Sequence, residues 1–331
     1  MPALPRPASG PGARYTPRAA TSRPRSRAAR YIDVAALSRH LTERDVWLAR
    51  MVHEHKVLTS HQITRLAFGA LRTAQRRLLT LHQLGVLDSF RPLAQTGSAP
   101  EHYTLGPAGA SFLASSAGCD LTEVGWHSTR IGRIAYSPSL GHDLGVNELL
   151  THLAAHTRTT PGHQLTLWLS ARSCARRWGD LIRPDAYAHW QANGQLLPFF
   201  LEYDTGSESL ARVEAKLPGY AAFATTTGTS PALLLHTRTE SHAQLLRRRL
   251  AVPARELGLT VATSSADFTT STPWGPWWSP LPPGDTRRTT LAGLTAHWPS
   301  LTPATGLDPT DADTALTLPV PPLPPALGGT A

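Results

Sequence analysis

Lysine is almost missing from this 331-residue chain: Lys56 and Lys216 stand against thirty arginines. Together with abundant Ala and Leu, that bias reads as the mark of a GC-rich bacterial genome. The Arg excess is therefore weak evidence of selected chemistry, and each lysine becomes worth locating. The two cysteines, Cys119 and Cys174, lie far apart with no CxxC spacing, which points away from a disulfide framework and from a zinc site. No run of eighteen apolar residues exists, so no membrane-spanning helix and no membrane partner are expected. A phosphate-loop GxxxxGK[ST] and a GxSxG nucleophile turn are both missing. His152 and His156 are spaced as in the zinc-protease motif, but HLAAH lacks its glutamate, and a structural pair is the simpler reading. The first residues lack the apolar stretch of a secretory signal. Five prolines in the first seventeen residues argue against a transit-peptide helix, so a bacterial cytoplasm is the expected location.

The chain is 41% hydrophobic, enough to bury a core, and its formal net charge of +9 favours an anionic partner, most simply nucleic acid. Composition divides it into five spans. Residues 1–38 read as a disordered basic arm rich in Pro, Gly, Ser and Arg. Residues 39–118 form a first domain, 119–138 a linker and 139–263 a second domain. Residues 264–331 form a Pro- and Thr-rich tail, largely disordered, whose Trp274, Trp277 and Trp278 either dock on the folded body or meet a partner.

Local patterning is clearest in the first domain. Thr42, with Asp45 three residues on, predicts an N-capped helix burying Val46, Leu48, Ala49 and Val52. Thr59 or Ser60 starts a second helix, and ALRTAQRRLLTLHQLGV reads as a third, ended by Gly85. Two short strands, VLDSFRPL and EHYTLGP, flank the turn formers AQTGSA. Three helices and a β-hairpin predict a winged helix-turn-helix, which places its third helix in the major groove of double-stranded DNA. With Leu78 and Leu81 facing inward, Arg72, Thr73, Gln75 and Arg76 would face DNA, and Arg91 would sit at the wing. The competing reading is a protein-contact module whose arginines are a solvated face.

The second domain carries the possible chemistry. LGHDLGVNELLTHLAAH reads as a helix, QLTLWLS, LIRPDAYAHW and LPFFLEYDTG as three strands, SLARVEAKLPGYAAFA as a helix broken or kinked by Pro218, and PALLLHT as a fourth strand. The order αβββαβ is that of a restriction-endonuclease-like core, giving an α+β fold overall. In such a core, acids at the ends of adjacent strands hold a divalent metal against a phosphate. Asp185 and Glu202 are the expected metal ligands, with Glu148 and Asp204 as further carboxylates and Mg²⁺ or Mn²⁺ as the ion. The pattern PD…(D/E)xK wants lysine at position 204, where this chain has Asp204. Lys216, one helix later, is the candidate replacement, acting with Asp185 and Glu202 as the catalytic set; the alternative is a solvent-facing helix residue.

The three-helix-and-hairpin pattern, GHDLGVNELL, RPDAYAHW, FFLEYDTGSES and VEAKLPGY together resemble the replication-relaxation family of plasmids and mobile elements of actinobacteria and their relatives. The resemblance covers about residues 40–250, and its most distinctive part is the E-x-D-x-G run with the downstream Lys216 and Tyr220. It implies a role in plasmid replication or conjugative DNA processing. Two functions follow. The protein is a DNA-binding, metal-dependent nuclease, or a DNA-binding accessory or transcriptional regulator with a silent nuclease-like domain that recruits a relaxase or replication initiator.

Overall fold

The computed structural model describes residues 21–22, 33–93, 97–206, 208–281 and 287–307. It is a mixed α+β structure. In the first part, β1 (Thr21–Ser22) precedes α1 (Val34–Ser38), α2 (Glu43–Glu54), β2 (Leu58–Thr59), α3 (Ser60–Ala67) and α4 (Leu71–Gln83). The hairpin strands β3 (Leu87–Arg91) and β4 (His102–Leu105) and helix α5 (Pro107–Ala117) complete it. Sequence chemistry sets these boundaries. Thr42 accepts from the Asp45 amide while Asp45 reaches back to the Thr42 amide, a capping box, and Thr59 with Gln62 makes a second one. Gly85, at φ 72°, ends α4 in the left-handed region that glycine enters without strain. The stripe Ala74, Leu78 and Leu81 turns α4 inward, whereas Val46 is only half-buried and Leu71 and Leu79 are exposed. The small sheet runs β1-β3-β4-β2.

Helix α6 (Arg130–Ala135) lies in the span read as a linker, where Val124 and Ile134 are buried. Then come α7 (Leu140–His156), β5 (His163–Ser170), α8 (Ala171–Trp178), β6 (Ala186–Ala192), β7 (Gln195–Tyr203), α9 (Leu210–Glu214), α10 (Leu217–Thr227), β8 (Ala232–His236), α11 (Glu240–Glu256), β9 (Val261–Ser264), β10 (Ser279–Pro280) and α12 (Leu294–His297). These strands form one mixed sheet of order β10-β9-β8-β7-β6-β5, with β5, β6 and β7 antiparallel and β7, β8 and β9 parallel. The helix expected over SLARVEAKLPGYAAFA is two: α9 stops at Glu214 and α10 restarts with Pro218 in its first turn, where a missing N–H costs nothing.

Three expectations need correction. Helix α8 separates β5 from β6, and α11, β9 and β10 extend the core beyond αβββαβ. The basic arm is shorter than 38 residues at its inner end, because α1 is capped by Asp33 and buries Leu37 against the core; residues 1–20 and 23–32 lie outside the described residues. The tail is folded as far as it is described. Trp278 is fully buried, Leu291 and Leu294 are buried, and β10 pairs with β9. Residues 308–331 lie outside the described residues. Among the described residues no helix is long and apolar enough to cross a membrane.

The two halves share one apolar cluster, from Leu48, Ile63 and Leu66 through Leu149 and Leu153 to Trp168, Trp190 and Trp278. Where α3 meets α7, Arg65 is ion-paired with Glu148, Gln62 Nε2 donates to Glu148 and to the Leu144 carbonyl, and Arg158 donates to the Arg65 carbonyl.

Candidate functional site

Two places carry the expected functional residues. The first is a groove between α4 and the β3–β4 hairpin, lined by His61, Arg72, Gln75, Arg76, Arg91 and Tyr103 among others. Because Ala74, Leu78 and Leu81 face the core, Arg72, Thr73, Gln75 and Arg76 lie on the opposite, exposed face of α4. Neither Arg72 nor Arg76 has an acidic side-chain partner among the described residues. Arg77, on the same helix, is spent internally: its guanidinium clamps Asp45 with Nε–Oδ1 at 2.9 Å and Nη2–Oδ2 at 2.5 Å, which holds α4 against α2. Arg91 closes the groove from the hairpin side, where Glu101 at 2.9 Å and Ser98 already hold it. Its charge is already paired before any ligand arrives.

The second place is at the ends of β6 and β7. Their register pairs Ala186 with Leu201, so Asp185 comes level with Glu202 on the neighbouring strand. Asp185 is tied on both sides, by the Tyr203 amide (2.8 Å to Oδ2) and by His142 Nε2 (3.0 Å to Oδ1), which reaches it from α7. Glu202 is buried, and its two oxygens take different donors: Lys216 Nζ at 2.6 Å and the Tyr220 hydroxyl at 2.5 Å. Lys216 N-caps α10, and Tyr220 lies one turn further along the same face. The return of the chain after β7 therefore delivers both to Glu202 at once. Glu208 also accepts from Lys216 Nζ, at 2.9 Å.

Electrostatics here follow from burial. Burial first, and the Asp185 charge second, push the Glu202 carboxyl above its ordinary value, against the pull of Lys216 and Tyr220. Burial works to lower Lys216, yet Glu202 and Glu208 outweigh it, and the ammonium is held more firmly than usual. His142 is likewise raised, its burial outweighed by Asp185. The Tyr220 hydroxyl is pushed well above the usual phenol range by burial and by Glu202, so it stays a donor.

The other two expected metal ligands go elsewhere. Glu148 faces α3, and His152 one turn along its own helix, with Arg65 and Gln62 from α3, holds it well below the usual carboxylate range despite its burial. Asp204 Oδ1 accepts from the amides of Gly206 (2.7 Å) and Glu208 (3.2 Å), fastening its own loop. Among the described residues no group of three or more His, Cys, Asp or Glu is placed to hold a metal ion. Asp185 and Glu202 remain as two hard oxygen donors. Of the partners found here, the Tyr220 hydroxyl was readable only as a helix neighbour of Lys216, and Glu208 carried no sequence signal, since a loop has no periodicity to place it.

Residues 50–233, more than half of the chain, match the family model for replication-relaxation. Neither curated proteins nor solved structures gave a match.

Proposed function

The chain belongs to the replication-relaxation family, and from that membership we propose that it is a DNA-binding protein of plasmid replication or mobilisation. In this reading α2, α3, α4 and the β3–β4 hairpin act as a winged helix on double-stranded DNA. One observation carries it: Arg72, Gln75 and Arg76 share the exposed face of α4 beside the hairpin, without acidic side-chain partners among the described residues, while Arg77 is tied to Asp45. Guanidiniums left free on a rigid helix meet phosphates, or the O6/N7 edge of guanine, without first breaking an internal pair. Thr73 and Gln75 supply neutral donors and acceptors on the same face. A relaxase or replication initiator recruited to the site is the partner this role calls for.

The test is a binding titration on duplex DNA at two salt concentrations. Replacing Arg72 and Arg76 together with alanine should weaken binding by at least about tenfold and lower the salt slope by about 2. Unchanged affinity and slope would overturn the reading and favour a protein-contact module.

A second reading, divalent-metal-dependent cleavage of DNA, draws support from Lys216 reaching Glu202 beside Asp185. Two carboxylates on adjacent strand ends fit an ion such as Mg²⁺ or Mn²⁺, which takes one or two protein oxygens and keeps several waters. The ion would supply charge stabilisation at a phosphate oxygen. Lys216, held protonated by Glu202 and Glu208, would offset phosphate charge, and Tyr220 would fix the Glu202 carboxylate. Nicking of supercoiled plasmid in Mg²⁺ or Mn²⁺, lost in Asp185→Ala and Glu202→Ala while duplex binding survives, is the expected result. No metal-dependent nicking by the wild-type protein leaves the DNA-binding accessory role.

A further inference from the structure

A cavity of about 370 Å³ lies where α2, α6, α7, β5 and α8 converge. Its wall holds His53, His55 and Lys56 from the end of α2, Arg130 and Arg133 from α6, Trp168 from β5 and Arg172 from α8. Asp185 and His142 also border it, so it opens beside the carboxylate site. None of its residues belongs to the α4 groove.

The polar atoms of this wall are left waiting. His53 is 2% exposed and His55 is 5% exposed. Neither His53 ring nitrogen, nor His55 Nε2, nor the Nε atoms of Arg130 and Arg172 has a hydrogen-bond partner among the described residues. A buried donor without an acceptor is costly, and several around one void call for an acceptor inside it.

The charges point the same way. Three carboxylates border the cavity: Asp143 pairs with Lys56, Asp185 with His142, and Glu54 accepts from the Ser170 amide through Oε1, while its Oε2 makes no hydrogen bond among the described residues and has the Arg172 guanidinium at 3.6 Å. Arg130 and Arg133 have no acidic side-chain partner among the described residues. Burial, and then the neighbouring Arg172, lower the Arg130 guanidinium to about 10. Two guanidiniums brought together in a half-dry pocket repel one another unless an anion lies between them. Burial lowers His53 to about 3 and His55 to about 4, so both are neutral imidazoles at neutral pH, each with one N–H to donate. His55 is fixed by stacking on Trp168 at 3.7 Å.

We infer that this cavity binds a phosphomonoester, carried either by the end of a nucleic-acid strand or by a free nucleotide. Two guanidiniums and two imidazole donors suit a compact dianion with several acceptor oxygens better than a single-charge carboxylate. The volume sits at the small end of the range for ligand sites, which fits a terminal nucleotide rather than a duplex. The site does not depend on how the α4 groove is used.

The experiment titrates the full-length protein with deoxyadenosine monophosphate, deoxyadenosine, inorganic phosphate, and a short single strand bearing either a 5′-phosphate or a 5′-hydroxyl. The phosphorylated member of each pair should bind at least about tenfold tighter, and Arg130→Gln should remove that preference. Arg133→Gln, on the exposed side of α6, is a second variant that leaves the packing intact and should weaken it severalfold. Phosphate should raise the melting temperature of the wild type but not that of Arg130→Gln. In phosphate-free buffer that variant should melt no lower than the wild type, since it loses an uncompensated buried charge. Tighter binding of the phosphorylated strand than of the mononucleotide identifies a strand end as the source, and equal binding identifies a free nucleotide. No preference for phosphate in either pair, or a preference undiminished in both variants, overturns the inference. The mononucleotide arm makes no use of the α4 groove, so a failure there is distinct from a failure of duplex binding.

Discussion

Trp278→Ala should cost about 3–5 kcal/mol of stability, the range for removing a fully buried large aromatic side chain. Trp278 is 0% exposed and lies against Phe268, with its indole N–H on the Pro273 carbonyl at 2.8 Å. Its backbone exchanges two hydrogen bonds with Thr289. Immediately after it, β10 pairs with β9, and the Leu281 amide reaches the Val261 carbonyl. Removing the ring therefore opens a cavity and also loosens the segment that completes the edge of the large sheet. Urea unfolding of wild type and variant measures the effect, and a truncation after Ser264 should lose more than the point variant. A difference below about 1 kcal/mol would mean that this segment is draped on the surface and packs weakly.

That result bears on what can be read from sequence. Capping chemistry was legible because it is local: Thr42 with Asp45 and Gly85 act within a few residues, and the start of the second helix was narrowed to Thr59 or Ser60, of which the structure uses Thr59. Pro218 announced its break for the same reason. The folded tail was not legible, because PWGPWW has no period and its burial depends on a sheet edge formed elsewhere in the chain. Helix α8 was missed for a related cause. Its cap at Ser170 follows directly on a strand, and ARSCARRW shows its buried Cys174 and Trp178 only once β5 and β6 are in place. In the site, Asp185 and Glu202 could be paired from strand order alone, whereas the contact of His142 with Asp185 depends on how α7 packs against the sheet. The assignment of Glu148 as a ligand failed to foresee Arg65, which stands 83 residues away and meets it only because α3 packs on α7. Long-range ion pairs leave no mark in a local pattern.

Lys216→Met should destabilise the protein by about 3 kcal/mol at neutral pH, at the low end for breaking a buried pair because about a third of the lysine side chain reaches water. The loss should depend on pH in a definite direction. Glu202 has a folded pKa above its ordinary value, so the native state holds its proton longer than the unfolded chain, and stability falls as pH rises through that interval. Without Lys216 the folded value rises further and the interval widens upward. The deficit should thus be small where Glu202 is protonated in both states, below its ordinary value of 4.5, and should grow toward neutral pH. Lys216 itself adds no slope there, because its contribution is fully present below 10.5 and is lost as pH rises from there through its raised folded value. Unfolding at about pH 5 and about pH 8 tests this, and an equal deficit at both would show that Glu202 is not the group left uncompensated. Adding Glu202→Gln to Lys216→Met should then restore most of the loss, leaving the double variant within about 1 kcal/mol of the wild type. Such a rescue would mean that the charges at the ends of β6 and β7 are not there to hold the fold together. An ion pair that the fold can do without, set beside a second carboxylate and the histidine-lined cavity, would then be free to serve the cleavage or ligand binding proposed above, and the same double variant assayed for nicking and phosphate binding separates those uses.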